Sequence, residues 1–150
     1  EADKIEKITE TLLQAPTSKA NFPCHFFLVK DSFINVKLSE SKSHGATFLK
    51  NAPLIVVIAA DPHISDVWIE DSSIAASFLM LEAVNLGLGG CWVQIRNRKY
   101  SNEITSSDFI KNLLNMDENL EVLALYGIGY PDEYSHRNAN LNISPVSIIG

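Results

Sequence analysis

Two glycine-bearing or hydroxyl-bearing stretches and a few cations carry whatever chemistry this chain performs. The first stretch is Gly87-Leu88-Gly89-Gly90, running into Cys91-Trp92-Val93-Gln94-Ile95-Arg96. A dinucleotide phosphate loop must follow a strand and open a helix, so that helix-terminal amides face the pyrophosphate. Here the glycines follow a helical pattern and precede a strand pattern, so that reading fails on context. A helix stop and a tight turn account for Gly87, while Gly89 and Gly90 let backbone come close to something flat or bulky.

The second stretch is Ala15-Pro16-Thr17-Ser18-Lys19-Ala20-Asn21-Phe22-Pro23-Cys24, with hydroxyls, one cation and backbone donors. Alone it reads equally as an ordinary surface loop. Arg96, Arg98 and Arg137 are candidate phosphate ligands, because a guanidinium grips phosphate oxygens as a planar fork; each also reads as solvated surface charge. His25, His44, His63 and His136 show no metal-ligand spacing. Glu70 and Asp71 open a helix, where carboxylates complement its dipole. Cys91 beside Trp92 reads as packing rather than as a nucleophile.

These residues need elements to position them, and 150 residues suffice for one ordinary domain with a real core. Ile5, Ile8, Leu12 and Leu13 give a helical stripe that Pro16 stops. His25–Val29 reads as a strand, Leu54–Ala60 as a strand buried on both faces, and Gly45–Asn51 as a short helix. Residues 33–38 mix both periods. Ser65 or Asp66 is expected to cap a long helix whose stretch Ile74–Val84 is apolar nearly all round. Residues 91–95 alternate like a strand, 107–114 carry helical spacing, and 120–130 form a last strand closed by Pro131. Residues 143–149 regain apolar character, as an arm packing on another surface would. The order predicts an α/β (α+β) domain with helices covering a sheet.

Twelve Lys and Arg against eighteen Asp and Glu leave a net charge of −6. That balance argues against nucleic acid or an anionic membrane as partner. No apolar run is long enough to span a bilayer. Cys24 and Cys91 have no Cys-x-x-Cys spacing and read as two free thiols of a cytoplasmic protein. A start at Glu1, without Met and directly in helical periodicity, suggests a processed or trimmed N-terminus.

Five segments together resemble the FMN-dependent nitroreductase-like family. They are Ala15-Pro16-Thr17-Ser18 with Pro23; His44-Gly45-Ala46-Thr47-Phe48-Leu49-Lys50-Asn51-Ala52-Pro53; Trp68-x-Glu70-Asp71-x-x-Ile74-Ala75-Ala76; Gly87-Leu88-Gly89-Gly90-Cys91-Trp92-Val93-Gln94; and Gly127-x-Gly129-Tyr130-Pro131. They keep the family's order across most of residues 8–131. The resemblance implies a mixed, largely antiparallel sheet flanked by helices, with a long buried central helix. It also implies FMN at a homodimer interface, with both subunits contributing to each site. The helix over 66–86 is then partly buried against its twin, with Ala75, Ala76 and Ser77 suiting close approach.

The implied cofactor-binding set is Pro16, Thr17, Ser18, Ala20, Phe22, Gly89, Gly90, Gln94, Ile95, Arg96 and Arg137, and no metal or catalytic side chain. Gln94 and Ile95 bring backbone beside the flavin N5 edge, and residues 17–22 border the ring and ribityl chain. The chain departs from the family in several places. The Arg-Arg-Ser-x-Arg element is absent from residues 1–4. Ala20 stands where Asn is frequent, Phe22 for Gln and Cys24 for Trp, and Phe22 offers a stacking surface instead. The implied activity passes hydride from NAD(P)H through FMN to a nitroaromatic, quinone or activated alkene. A flavin-binding sensor or interaction protein of the same fold is the alternative, and an unrelated α/β domain a third.

Overall fold

A computed structural model describes residues 1–133 and 147–149. Helix α1 (Ala2–Gln14) is followed by a short 3-10 turn (Ser18–Ala20), strand β1 (Cys24–Val29) and helix α2 (Ser32–Ser39). A second 3-10 turn (Thr47–Asn51) leads into β2 (Leu54–Ala60), then α3 (Trp68–Asn85), β3 (Gly89–Gln94), α4 (Ser106–Leu114) and β4 (Glu121–Gly129). The four strands lie in the order β1-β2-β4-β3, and every described pairing is antiparallel.

The alternation along β2 explains its unbroken apolar run. Ile55, Val57 and Ala59 point into one core with Leu38, Leu49, Val93, Ile95, Ile110 and Leu125. Leu54, Val56 and Ile58 point into the other, with Ile8 and Leu12 of α1 and Ala76 and Leu79 of α3. A strand between two helical layers has no wet face, so both residue sets are apolar. The opposite edge strand, β3, pairs with β4 alone among the described residues.

The stretch of mixed period is α2. Asp31 Oδ1 caps it, accepting from the backbone N–H of Phe33 at 2.9 Å and Ile34 at 3.0 Å. Phe33 and Val36 face solvent, which spoils the apolar stripe a helix normally shows. Two expectations are corrected. The long helix begins at Trp68 with no side-chain cap; Ser65 Oγ turns instead to Asp71, and Asp66 caps nothing. Gly89 and Gly90 belong to β3 rather than to a turn, and only Gly87, at φ +71°, takes the left-handed helix stop.

Helix α3 is also less uniformly buried than its sequence suggests. Ala75, Ala76, Leu79 and Ala83 face inward, whereas Ile74, Phe78, Leu81 and Val84 form an exposed stripe. Ala75 and Ala76 are sealed inside their own chain at 1% exposure, so they do not form a contact surface for a second helix.

Candidate functional site

The loop after α1 is held in an unusual shape. Lys19, Ala20 and Phe22 all adopt positive φ, at 53°, 54° and 49°. For residues with a Cβ such conformations are costly and persist only where surrounding contacts enforce them. Three contacts do so here. Thr17 Oγ1 accepts the backbone N–H of Phe22 at 3.0 Å, the Asp71 carboxylate accepts the N–H of Ser18 at 2.7 Å, and the Asn21 side-chain amide donates to Ile64 O at 3.3 Å. The second Asp71 oxygen accepts from Ser65 Oγ, also at 2.7 Å. Asp71 is therefore a buried clamp on the loop, while its exposed neighbour Glu70 fits the helix-dipole role expected of both.

The result is a surface on which Pro16, Lys19, Ala20 and Phe22 are exposed and Thr17 and Ser18 half-buried. Phe22 is 62% exposed. An apolar cleft runs beneath the loop, lined by Leu12, Leu13, Thr17, Phe22, Phe26 and Ala75. Cys24 lies at its floor with Sγ 3.5 Å from Ser72 Oγ, and burial pushes its thiol pKa up. That places it among inert packing thiols rather than nucleophiles.

Strand β3 offers a different surface. The Gln94 side chain is fixed at both ends, its amide donating to Arg96 O and its carbonyl accepting from Trp92 Nε1, each at 3.1 Å. Ile95 is fully buried by its side chain, and the backbone N–H groups of Ile95 and Arg96 both donate to Leu123 O. Arg96 is half-buried in a cleft with Trp68, Arg98 and Glu121, yet neither arginine makes an ion pair among the described residues. Lys42 adds to this positive ground: burial and the nearby Arg98 charge push its pKa below the ordinary lysine value.

The glycines at the start of β3 are explained from inside the chain. A Cβ on Gly90 would lie 2.4 Å from the Tyr126 ring, and one on Gly89 would lie 3.2 Å from Pro131. Their outer side still borders an open groove with Phe48, Asn51, Cys91 and Tyr130. The groove holds about 440 Å³, within the range of roughly 300–1,000 Å³ usual for small-molecule sites.

The expected residues thus fall into two groups. The loop residues line one cleft, the strand residues line others, and no described cleft contains both. Arg137 lies outside the described residues. Lys42 and Asp71 were not singled out from sequence as site residues. Their burial and their neighbours reveal them, and neither is written in local spacing.

No cluster of His, Cys, Asp or Glu among the described residues could hold a metal, and no described helix is long and apolar enough to cross a membrane. The chain belongs to the nitroreductase family, whose family model matches residues 35–130. A protein of Archaeoglobus fulgidus provisionally named an NADH dehydrogenase/NAD(P)H nitroreductase is 32% identical over 95% of this chain and 82% of its own. Among solved structures, an FMN-dependent nitroreductase from Clostridium difficile superposes with a TM-score of 0.94. It is 40% identical, and the match covers all of this chain and 88% of that one. A provisionally named NADH oxidase from Clostridium acetobutylicum matches at a TM-score of 0.83 and 26% identity, over 99% of this chain and 90% of its own.

Proposed function

We propose that this chain is an FMN-dependent oxidoreductase that takes reducing equivalents from NAD(P)H and passes them to a nitroaromatic, quinone or activated alkene. The observation that carries the reading is strand β3 itself: its glycine-bearing start borders an open groove, and its end runs into Arg96 and Arg98, which make no ion pair among the described residues. FMN fits that ground because it joins a flat apolar ring to a dianionic phosphate. Bound there, it would supply the two-electron redox chemistry that no side chain of this chain can supply.

The chain's own residues then position and shield. Arg96 or Arg98 would face the negative end, with Arg137 as a further candidate. The backbone of Gly89, Gly90, Gln94 and Ile95 would border the ring, held in register by the Gln94 contacts to Trp92 and Arg96. Lys42 would favour negative charge developing nearby. Pro16, Thr17, Ser18, Ala20 and Phe22 would close the other side and exclude water.

We further propose a homodimer with shared sites, working in the cytoplasm as a single nitroreductase-like domain. Two observations support the shared site: the loop and strand groups occupy separate clefts of one chain, and the Ile74, Phe78, Leu81 and Val84 stripe has nothing described over it. Visible spectra of the purified protein test the cofactor reading. Added FMN should bind, and its absorbance should bleach anaerobically with NADH or NADPH. A protein that binds no FMN would sink the proposal, and one that binds but never bleaches would leave a sensor. Leu81→Asp tests the assembly, since Leu81 is 73% exposed and its loss leaves the chain's own core intact. The variant should elute as a monomer and lose FMN; a monomer that kept FMN would end the shared-site reading.

A further inference from the structure

We infer that Arg98, at the rim of the cleft beyond the end of β3, selects the reductant: its guanidinium takes the 2′-phosphate of NADPH while the Trp68 indole lies against the adenine. The inference rests on the oxidoreductase reading above and adds a choice, NADPH over NADH, that the family resemblance does not make.

The cleft holds about 280 Å³, and Trp68, Ile95, Arg96, Arg98, Thr105 and Glu121 are among its walls. It shares no lining residue with the glycine-bordered groove at the start of β3. From Gly89 to Gln94 that strand rises roughly 17 Å, so the two openings stand apart along it. Ile95 and Arg96 belong both to the proposed flavin border and to this cleft. A nucleotide held here therefore lies beside the ring it must reduce.

Arg98 is an exposed side chain on a locked backbone. Asn97 before it makes a left-handed turn at φ 59°. The Arg98 N–H donates to Ile95 O, and its carbonyl accepts from the Ser106 N–H, both at 3.0 Å. Lys99 bridges to Thr105, and the Tyr100 ring stacks on Phe109 of α4 with centroids 4.0 Å apart. The loop thus carries Arg98 as a fixed rim of the cleft rather than as a trailing surface charge.

Among the described residues the guanidinium makes one hydrogen bond, from Nη1 to Asn97 O at 3.0 Å, and the rest of its fork is left for a ligand. The one carboxylate lining the cleft, Glu121, is engaged elsewhere. It accepts from Ser107 Oγ at 3.0 Å and pairs with Lys111 at 3.4 Å. NADPH differs from NADH only by a phosphate on the adenosine ribose, and an arginine is the residue dinucleotide sites place against it. Trp68, half-buried at the start of α3, supplies an aromatic wall on which a base can stack. Half-buried Arg96 remains the arginine for the flavin phosphate.

The test reads nucleotide binding by the whole protein without FMN, using calorimetry, so it stands apart from the cofactor reading. Adenosine 2′,5′-bisphosphate carries the distinguishing phosphate, and adenosine 5′-monophosphate lacks it. Wild type should bind the bisphosphate at least tenfold more tightly. Arg98→Gln should lower bisphosphate affinity about tenfold, the effect of losing a hydrogen bond to a charged group, and leave the monophosphate unchanged. Trp68→Leu should weaken both nucleotides about equally. Equal binding of the two nucleotides by wild type, or binding of neither, would overturn the assignment. So would a raised FMN Kd in Arg98→Gln, which would give this guanidinium to the flavin phosphate. A wild type that discriminates between the nucleotides yet binds no FMN would keep this site and sink the flavin reading.

Discussion

Between Thr17 and Phe22 three residues with side chains hold positive φ, whereas Gly89 to Gln94 form an unbroken antiparallel ladder with β4. Both regions face the proposed site, and they reach their shape by different means. The loop is held by side chains, Asp71, Thr17 and Asn21, against its own backbone preference. The strand is held by sheet register, with Tyr126 filling the space that Gly90 leaves open. A region shaped by a few clamps should respond sharply when one is removed. A ladder should respond only to changes that collide with it.

Removing the loop's clamp should have the largest effect. Asp71→Ala strips the Ser18 N–H and the Ser65 hydroxyl of their acceptor inside a site where the carboxylate is 2% exposed. Losing hydrogen bonds to a buried charged group costs on the order of 3 kcal/mol. Denaturant unfolding should show that loss, and FMN affinity should fall at least tenfold as residues 18–22 relax. If stability dropped while FMN binding held, the loop would not belong to the site.

Gly90→Ala probes the ladder. Its new Cβ would meet the Tyr126 ring at 2.4 Å, so the ring must move within a packed core. Overpacking of that kind costs about 2 kcal/mol. Combining it with Tyr126→Ala, which empties the space, should recover part of the loss relative to the two single changes added together. Strict additivity in melting experiments would mean that the two residues do not share that space.

How much of this was legible in the sequence also follows the contrast between the regions. The strands and long helices announced themselves, because β2 sits between two cores and α1 and α4 show clean stripes. Helix α2 did not, since Phe33 and Val36 spend their apolar surface on solvent and only the Asp31 cap marks its start. Residues 17–22 could be read as a site loop by family resemblance, but nothing local predicts left-handed backbone at Lys19, Ala20 and Phe22. The enforcing carboxylate lies 53 residues away from Ser18. Likewise Gly90 was visible as a glycine, and its reason was not, because Tyr126 is 36 positions later and meets it only through the β3–β4 register. Long-range partners set the site, and spacing along a chain carries no record of them.

The smallest change asks whether the loop's strain serves binding. Ala20 has φ 54°, where a glycine is free and an alanine is strained by roughly 1–2 kcal/mol. Ala20→Gly relieves that strain but gives the unfolded chain more freedom, a cost of about 0.4–1 kcal/mol. The net should be a stabilisation of about 0.5 kcal/mol in denaturant midpoints. If the strained shape is prepared for the cofactor, FMN affinity should move the other way and fall about twofold, because the freed loop must be ordered again on binding. Stability and affinity rising together would show that positive φ at Ala20 is a burden on the loop and no part of its function. Opposite signs would distinguish the clamped loop from the ladder, where strain has no such role.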